Sequence, residues 1–230
     1  MMSAPASYVT AKAAMTLKSD TTPITIKVNK PRGTIYWGRA GLDGPYISDQ
    51  MAALQTVGIQ QVFRGTRTYS MPIDSIRSGL SVRYRDSPID EDWHIHGMED
   101  SASPQFNMIG YSYGSLVAAQ TAQFYAHNGH IVDHLILVGS PIDREFLQLL
   151  KKQENIRKIV IKDLREHGDP IYAGISQVSL LLSVPLLYRQ MKKTKSTGAG
   201  TGHFYYASPN TDGIRKRLDL AKFIYSHGLR

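Results

Sequence analysis

Two rhythms of apolar and polar positions run along the chain. Apolar stretches of strand length recur at Gly33–Gly38 (GTIYWG), Ile59–Gly65 (IQQVFRG), Phe106–Ile109 (FNMI), His134–Ile142 (HLILVGSPI), Ile156–Asp163 (IRKIVIKD) and His203–Ala207 (HFYYA). Pro23–Val28 (PITIKV) alternates residue by residue. Both patterns predict strands, and the continuous runs suit strands covered on both faces. Helical stretches lie between them. Ser48–Val57 follows a Ser48 or Asp49 cap, Ser115–Ala126 is rich in small residues, Arg144–Lys152 is amphipathic, and Gly213–His227 comes last. Gln177–Met191 predicts one helix, or two broken near Pro185. Thr66–Ser103 holds Pro72, Pro88 and many charges. It predicts an irregular segment over one edge of the domain, with a short helix at Ile73–Gly79. Residues 1–21 read as a polar arm.

Strands alternating with helices require crossover connections, and crossovers produce parallel pairing. The expected fold is therefore α/β: a three-layer sandwich whose mostly parallel sheet carries helices on both faces. A length of 230 residues suits a single domain of this kind. There is no internal repeat.

Composition narrows the setting. The chain has no cysteine, so disulfides and thiolate metal sites are excluded. No run reaches the roughly 18 apolar residues of a membrane span. The first residues lack the basic start and long apolar core of a secretory signal. The expected location is the cytoplasm, or export by a route without a cleaved signal. Net charge is +8, with 27 basic and 19 acidic residues, which favours anionic partners. Much of the excess falls in Arg189–Lys195 (RQMKKTK) and in Arg215, Lys216, Arg217 and Lys222.

One short stretch changes the picture most. After the apolar run Phe106–Ile109 comes Gly110-Tyr111-Ser112-Tyr113-Gly114, and then a helix. In a parallel sheet, ligands bind at the strand C-termini, which is where Ser112 falls. Gly110 and Gly114 have no Cβ and let strand and helix backbones pass closely. Ala118, Ala119 and Ala122 keep the helix slim against the sheet. The helix N-terminus places backbone N–H groups beside Ser112, as a developing oxyanion needs.

This pentapeptide, in its strand–turn–helix setting, resembles the nucleophile elbow of the α/β-hydrolase superfamily. The resemblance follows the order of elements from about Thr34 onward. It implies a serine hydrolase of the lipase or esterase type, with triad members in the order serine, acid, histidine. For the acid, the chain offers Asp163, Glu166 and Asp169. Gly168-Asp169-Pro170-Ile171 best fits the family's acid-bearing loop, and Asp163, nearer the strand end, is the alternative. For the histidine, His203 follows the glycine-rich TGAGTG and is preferred over His227 in the last helix and His167 beside the acid. The implied mechanism has Ser112 attack an ester or thioester carbonyl, His203 act as base, and Asp169 orient the imidazole. The backbone N–H of Tyr113, with that of Arg39 or Ala40 in WGRAGLDG, would hold the oxyanion. Trp37 stands where the family often has histidine. The mechanism needs no metal and no organic cofactor.

The substrate is expected to be a lipid or another acyl ester. The apolar stretch before Arg189 and the lysines after it suggest peripheral membrane contact through Leu180–Lys195. Compact, signal-free lipase effectors delivered by contact-dependent bacterial secretion are similar in these respects. Two alternatives stand beside this reading: an acyl-thioesterase of the same fold, and a non-catalytic hydrolase-like protein that binds an anionic partner. His94 and His96, near Asp92, Glu99 and Asp100, have the spacing of metal ligands on one strand face, but the segment has no strong strand pattern and lacks further histidines, so no metal site is expected. GRAGLDG lacks the Gly-Lys-Ser/Thr of a nucleotide loop, and no nucleic-acid motif accompanies Tyr205 and Tyr206.

Overall fold

The computed structural model describes residues 25–26, 30–39, 45–65, 92–93, 98 and 101–230. Its centre is a five-stranded, all-parallel sheet in the order β3-β2-β5-β6-β7. The strands are β2 (Gly33–Trp37), β3 (Val62–Arg64), β5 (Phe106–Tyr111), β6 (His134–Val138) and β7 (Ile159–Lys162). Two further strands, β1 (Thr25–Ile26) and β4 (Asp92–Trp93), pair with each other, also in parallel. Helix α1 (Pro45–Thr56) connects β2 to β3, α2 (Tyr113–His127) connects β5 to β6, and α3 (Arg144–Lys151) connects β6 to β7. Beyond the sheet come α4 (Gln177–Thr197), a 3-10 segment at Gly202–Ala207, and α5 (Thr211–Ser226). The fold class is therefore α/β.

Strand alternation divides the core in two. Ile35, Trp37, Phe106, Met108, Leu135 and Leu137 join a cluster with Leu116, Ala119 and Ala122 of α2 and Phe146 and Leu150 of α3. Their neighbours Tyr36, Ile109, Tyr111, Ile136 and Val138 join a second cluster with Ile47 and Leu54 of α1 and Leu220 and Ile224 of α5. Successive strand side chains point to opposite faces, so every second residue serves the same cluster. Each fully buried leucine or isoleucine contributes about 1.5–3 kcal/mol.

A buried cation ties the last helix to the first. Arg217 of α5 is fully buried. It donates to Asp49 Oδ2 at 2.8 Å, to the Tyr206 carbonyl at 3.0 Å and to the Ser208 carbonyl at 2.6 Å. Gln50 Nε2 donates back to the Arg217 carbonyl at 3.1 Å. Burial lowers the guanidinium pKa from its ordinary value, and Asp49 opposes that shift.

The structure departs from the sequence expectations in two places, and at Gln177–Met191 it takes the first of the two readings, one unbroken helix that runs to Thr197 with Pro185 exposed. The lost hydrogen bond there falls where water can serve the freed carbonyl. His203–Ala207 is a 3-10 segment rather than a strand, because Gly202 is left-handed at φ +55° and the chain packs tightly there. A Cβ on Gly200 would lie 2.4 Å from the Tyr205 carbonyl oxygen. The strand expected at Phe106–Ile109 continues to Tyr111, since pairing with β6 persists through Tyr111–Val138. Residues 66–91 of the segment expected to be irregular, its expected helix at Ile73–Gly79, and the whole N-terminal arm 1–21 lie outside the described residues.

Candidate active site

The sheet order contains a switch point. From β2 the chain crosses to β3 on one side, whereas β5, the other neighbour of β2, leads away to β6. Two adjacent parallel strands whose connections leave in opposite directions open a crevice at their C-terminal ends. Trp37 ends β2 and Tyr111 ends β5 at that crevice, and Ser112 follows immediately.

Ser112 is held in an unusual conformation. Its φ of 57° and ψ of −124° make it the one described non-glycine residue with positive φ. An L-residue there is strained by about 1–3 kcal/mol and persists only where its surroundings enforce it. The surroundings are tight backbone contacts. A Cβ on Gly110 would sit 2.3 Å from the Gly114 carbonyl oxygen and from Ser115 Cα. A Cβ on Gly114 would sit 2.2 Å from the Gly38 carbonyl oxygen. The Ser112 N–H donates to the Val138 carbonyl at 2.8 Å, which anchors the turn to β6. Its carbonyl accepts from the Ser115 hydroxyl, and Ser115 Oγ lies 2.7 Å from Ser140 Oγ.

The serine faces His203. Ser112 Oγ is 2.6 Å from His203 Nε2, and His203 Nδ1 is 2.8 Å from Asp169 Oδ2. The three residues are 6, 5 and 5 % exposed, so their interactions act in a largely water-free setting. The carboxylate only accepts, which assigns the proton to Nδ1 and leaves Nε2 to accept from the serine hydroxyl. The other Asp169 oxygen accepts the Ile171 N–H at 2.8 Å. The histidine backbone is fixed at both ends. Its N–H donates to Gln190 Oε1 at 3.0 Å, and its carbonyl accepts from the Tyr111 hydroxyl. Gln190 Nε2 also donates to the Gly168 carbonyl at 2.8 Å, so one side chain of α4 joins the acid loop to the histidine segment.

The remaining candidates occupy other places. Asp163 Oδ1 accepts the Ala173 N–H at 2.9 Å and shapes the loop without meeting His203. Glu166 pairs with Lys162 at 2.7 Å, and that contact depresses its carboxyl pKa. His167 stacks on Tyr205 with ring centres 3.6 Å apart. His227 lies at the end of α5, with Nδ1 2.7 Å from the Phe223 carbonyl. Tyr113 opens α2 directly beside Ser112, and Arg39 follows β2 across the crevice. The Arg39 N–H donates to the Tyr46 hydroxyl at 2.9 Å. Ala40, His94 and His96 lie outside the described residues. Trp37 is fully buried in the core with its ring against Gly65. A cavity of about 410 Å³ lies between the starts of α3 and α4, lined by Asp143, Gly174, Ser176 and Val178 and by none of the three clustered residues.

Sequence reasoning missed Gln190 and the Tyr111 hydroxyl. Tyr111 sits inside the quoted pentapeptide, but its target is 92 residues away and no local pattern signals it. No helix among the described residues is long and apolar enough to cross a membrane. Compared with known proteins, the chain matches no family model, no curated sequence and no solved structure.

Proposed function

We propose that this chain is a serine hydrolase of carboxylic esters, built as an α/β-hydrolase sandwich with helices on both faces of its sheet. The observation that carries the reading is the continuous line Ser112 Oγ, His203 Nε2, His203 Nδ1, Asp169 Oδ2, which starts from a serine in a strained turn. A structural hydrogen bond needs no positive φ at a non-glycine residue. The division of the core between α2–α3 and α1–α5 supports the sandwich.

In this reading, Ser112 Oγ attacks the acyl carbonyl carbon while His203 Nε2 takes its proton. Asp169 holds Nδ1–H and stabilises the imidazolium. The carbonyl oxygen becomes an oxyanion beside the α2 N-terminus, where the Tyr113 N–H is the first donor. The Arg39 N–H is the second, transferred from the Tyr46 hydroxyl it serves at rest. His203 then gives the proton to the leaving alcohol as the C–O bond breaks, and an acyl-enzyme remains. A water deprotonated by His203 releases the acid and restores Ser112. Exposed leucines on α4, which links the acid loop to the histidine segment, favour a lipid acyl ester as substrate.

The test is fluorophosphonate labelling of the wild type, Ser112→Ala and His203→Ala, read by intact mass with and without lipid vesicles. One adduct on the wild type and none on either variant is expected. A folded wild type that takes no adduct under either condition overturns the hydrolase reading in favour of a binding protein.

A further inference from the structure

The outer face of α4 is divided along its length. Val178, Leu181 and Leu182 are 67, 51 and 75 % exposed, and Leu186 and Tyr188 are also exposed. On the inner side, Leu180 is buried and Leu187 packs with Ile171 and Ile175. Positions 178, 181, 182, 185, 189, 192 and 193 are linked by three- and four-residue steps, so they form one stripe. That stripe is apolar in its first half and basic in its second, where Arg189, Lys192 and Lys193 stand, with Lys195 beyond. The helix contains no Asp or Glu.

We infer that this stripe docks the protein on an anionic lipid bilayer. A contiguous apolar patch beside cations on a helix without carboxylates matches the two layers of a membrane surface. Leucines enter the acyl boundary, and lysines reach headgroup phosphates. A second copy of this chain would bring the same cations to the face and be repelled. The docked orientation brings one side of α4 to the lipid while Gln190, on its inner side, touches the backbones of Gly168 and His203. The docking claim stands on the helix surface alone. Only its corollary, that the ester is drawn from the bilayer, rests on the hydrolase reading.

The experiment is vesicle flotation of the full chain carrying Ser112→Ala, so that turnover does not alter the lipid. Vesicles of phosphatidylcholine are compared with the same lipid containing phosphatidylglycerol. Binding to the anionic vesicles is expected, weakening with salt. Leu181→Ser with Leu182→Ser, and separately Lys192→Glu with Lys193→Glu, should each weaken it by about tenfold or more. Both pairs are exposed, and an unchanged melting temperature establishes that they fold. Equal binding to neutral vesicles, no binding, or binding unaffected by either pair overturns the proposal. So does a wild-type dimer in solution that the leucine pair abolishes, since the face would then belong to a second copy. Docking without a phosphonate adduct on the wild type leaves this inference standing and removes the hydrolase reading. An adduct without docking does the reverse.

Discussion

The side chain of Gln190 holds the backbone of His203, accepting its N–H at 3.0 Å while donating to the Gly168 carbonyl at 2.8 Å. Two loops far apart in sequence thus meet on one amide from α4, and the His203–Asp169 contact lies between them. Gln190→Ala removes both bonds. It should slow phosphonate labelling of the folded protein about tenfold, since each bond is worth about 1 kcal/mol. Gln190→Glu keeps the acceptor for His203 and loses the donor to Gly168, and should recover part of the rate. If Gln190 were only structural, melting temperature would fall while the pH profile and rate of labelling stayed as in the wild type.

The strain at Ser112 predicts an inversion of the usual glycine penalty. Glycine adopts φ near 57° freely, whereas alanine inherits the steric cost. Both substitutions remove the hydroxyl and its contact with His203. Ser112→Gly should therefore be more stable than Ser112→Ala by about 1 kcal/mol, while neither is labelled. Denaturant midpoints of the two variants decide this, and equal midpoints would show that the turn is relaxed.

Gly114→Ala should be severe for a different reason. Its Cβ would meet the carbonyl oxygens of Gly38 at 2.2 Å and Trp37 at 2.5 Å, both of them backbone atoms with nowhere to go. The expected loss is about 1–3 kcal/mol or more, read as a lower melting temperature. Gly129→Ala is the control: it has φ +83° and open space, so only local strain is added, about 1 kcal/mol.

Acid sensitivity should centre on His134. Its burial, with Lys158 nearby, lowers its pKa below the ordinary 6.5, and its Nδ1 lies 2.9 Å from Asn107 Oδ1. Asp133 opposes the shift, and Arg230 adds to it. A histidine depressed on folding binds fewer protons in the native than in the unfolded chain. Stability is thus unaffected well above 6.5 and falls as pH drops below it, until the native histidine itself protonates. His134→Gln should flatten that part of the profile, measured as urea midpoints between about pH 8 and pH 5. A wild-type profile that is already flat there would remove the assignment.

How much of this was legible before the fold was known depends on range. The alternation of strands and helices along the chain, the small-residue helix after Gly114 and the turn at Ser112 are local patterns, and each was visible in sequence; the order of the strands within the sheet was not. Asp169 and His203 were visible as a Gly-Asp-Pro loop and a glycine-flanked histidine. Their meeting with Ser112 was only an expectation, because it spans 34 and 91 residues. Gln190 was invisible. It sits between Arg189 and Met191 in a helix whose continuity past Pro185 the sequence left open, and its partners are both backbone groups. The HFYYA segment misled because apolar content alone does not separate a strand from a tight 3-10 turn. The left-handed Gly202 and the close packing at Gly200 settle that choice.

The buried Arg217 ties the last helix to the segment that presents His203. By holding the carbonyls of Tyr206 and Ser208 against Asp49 of α1, it anchors the far end of the segment that carries His203. A chain cut between Phe204 and Arg217 would lose the mooring of its histidine together with its last helix. Split-fragment or permuted versions of this protein must therefore keep residues 203–217 in one piece, because the unit that folds and the unit that presents the histidine are the same.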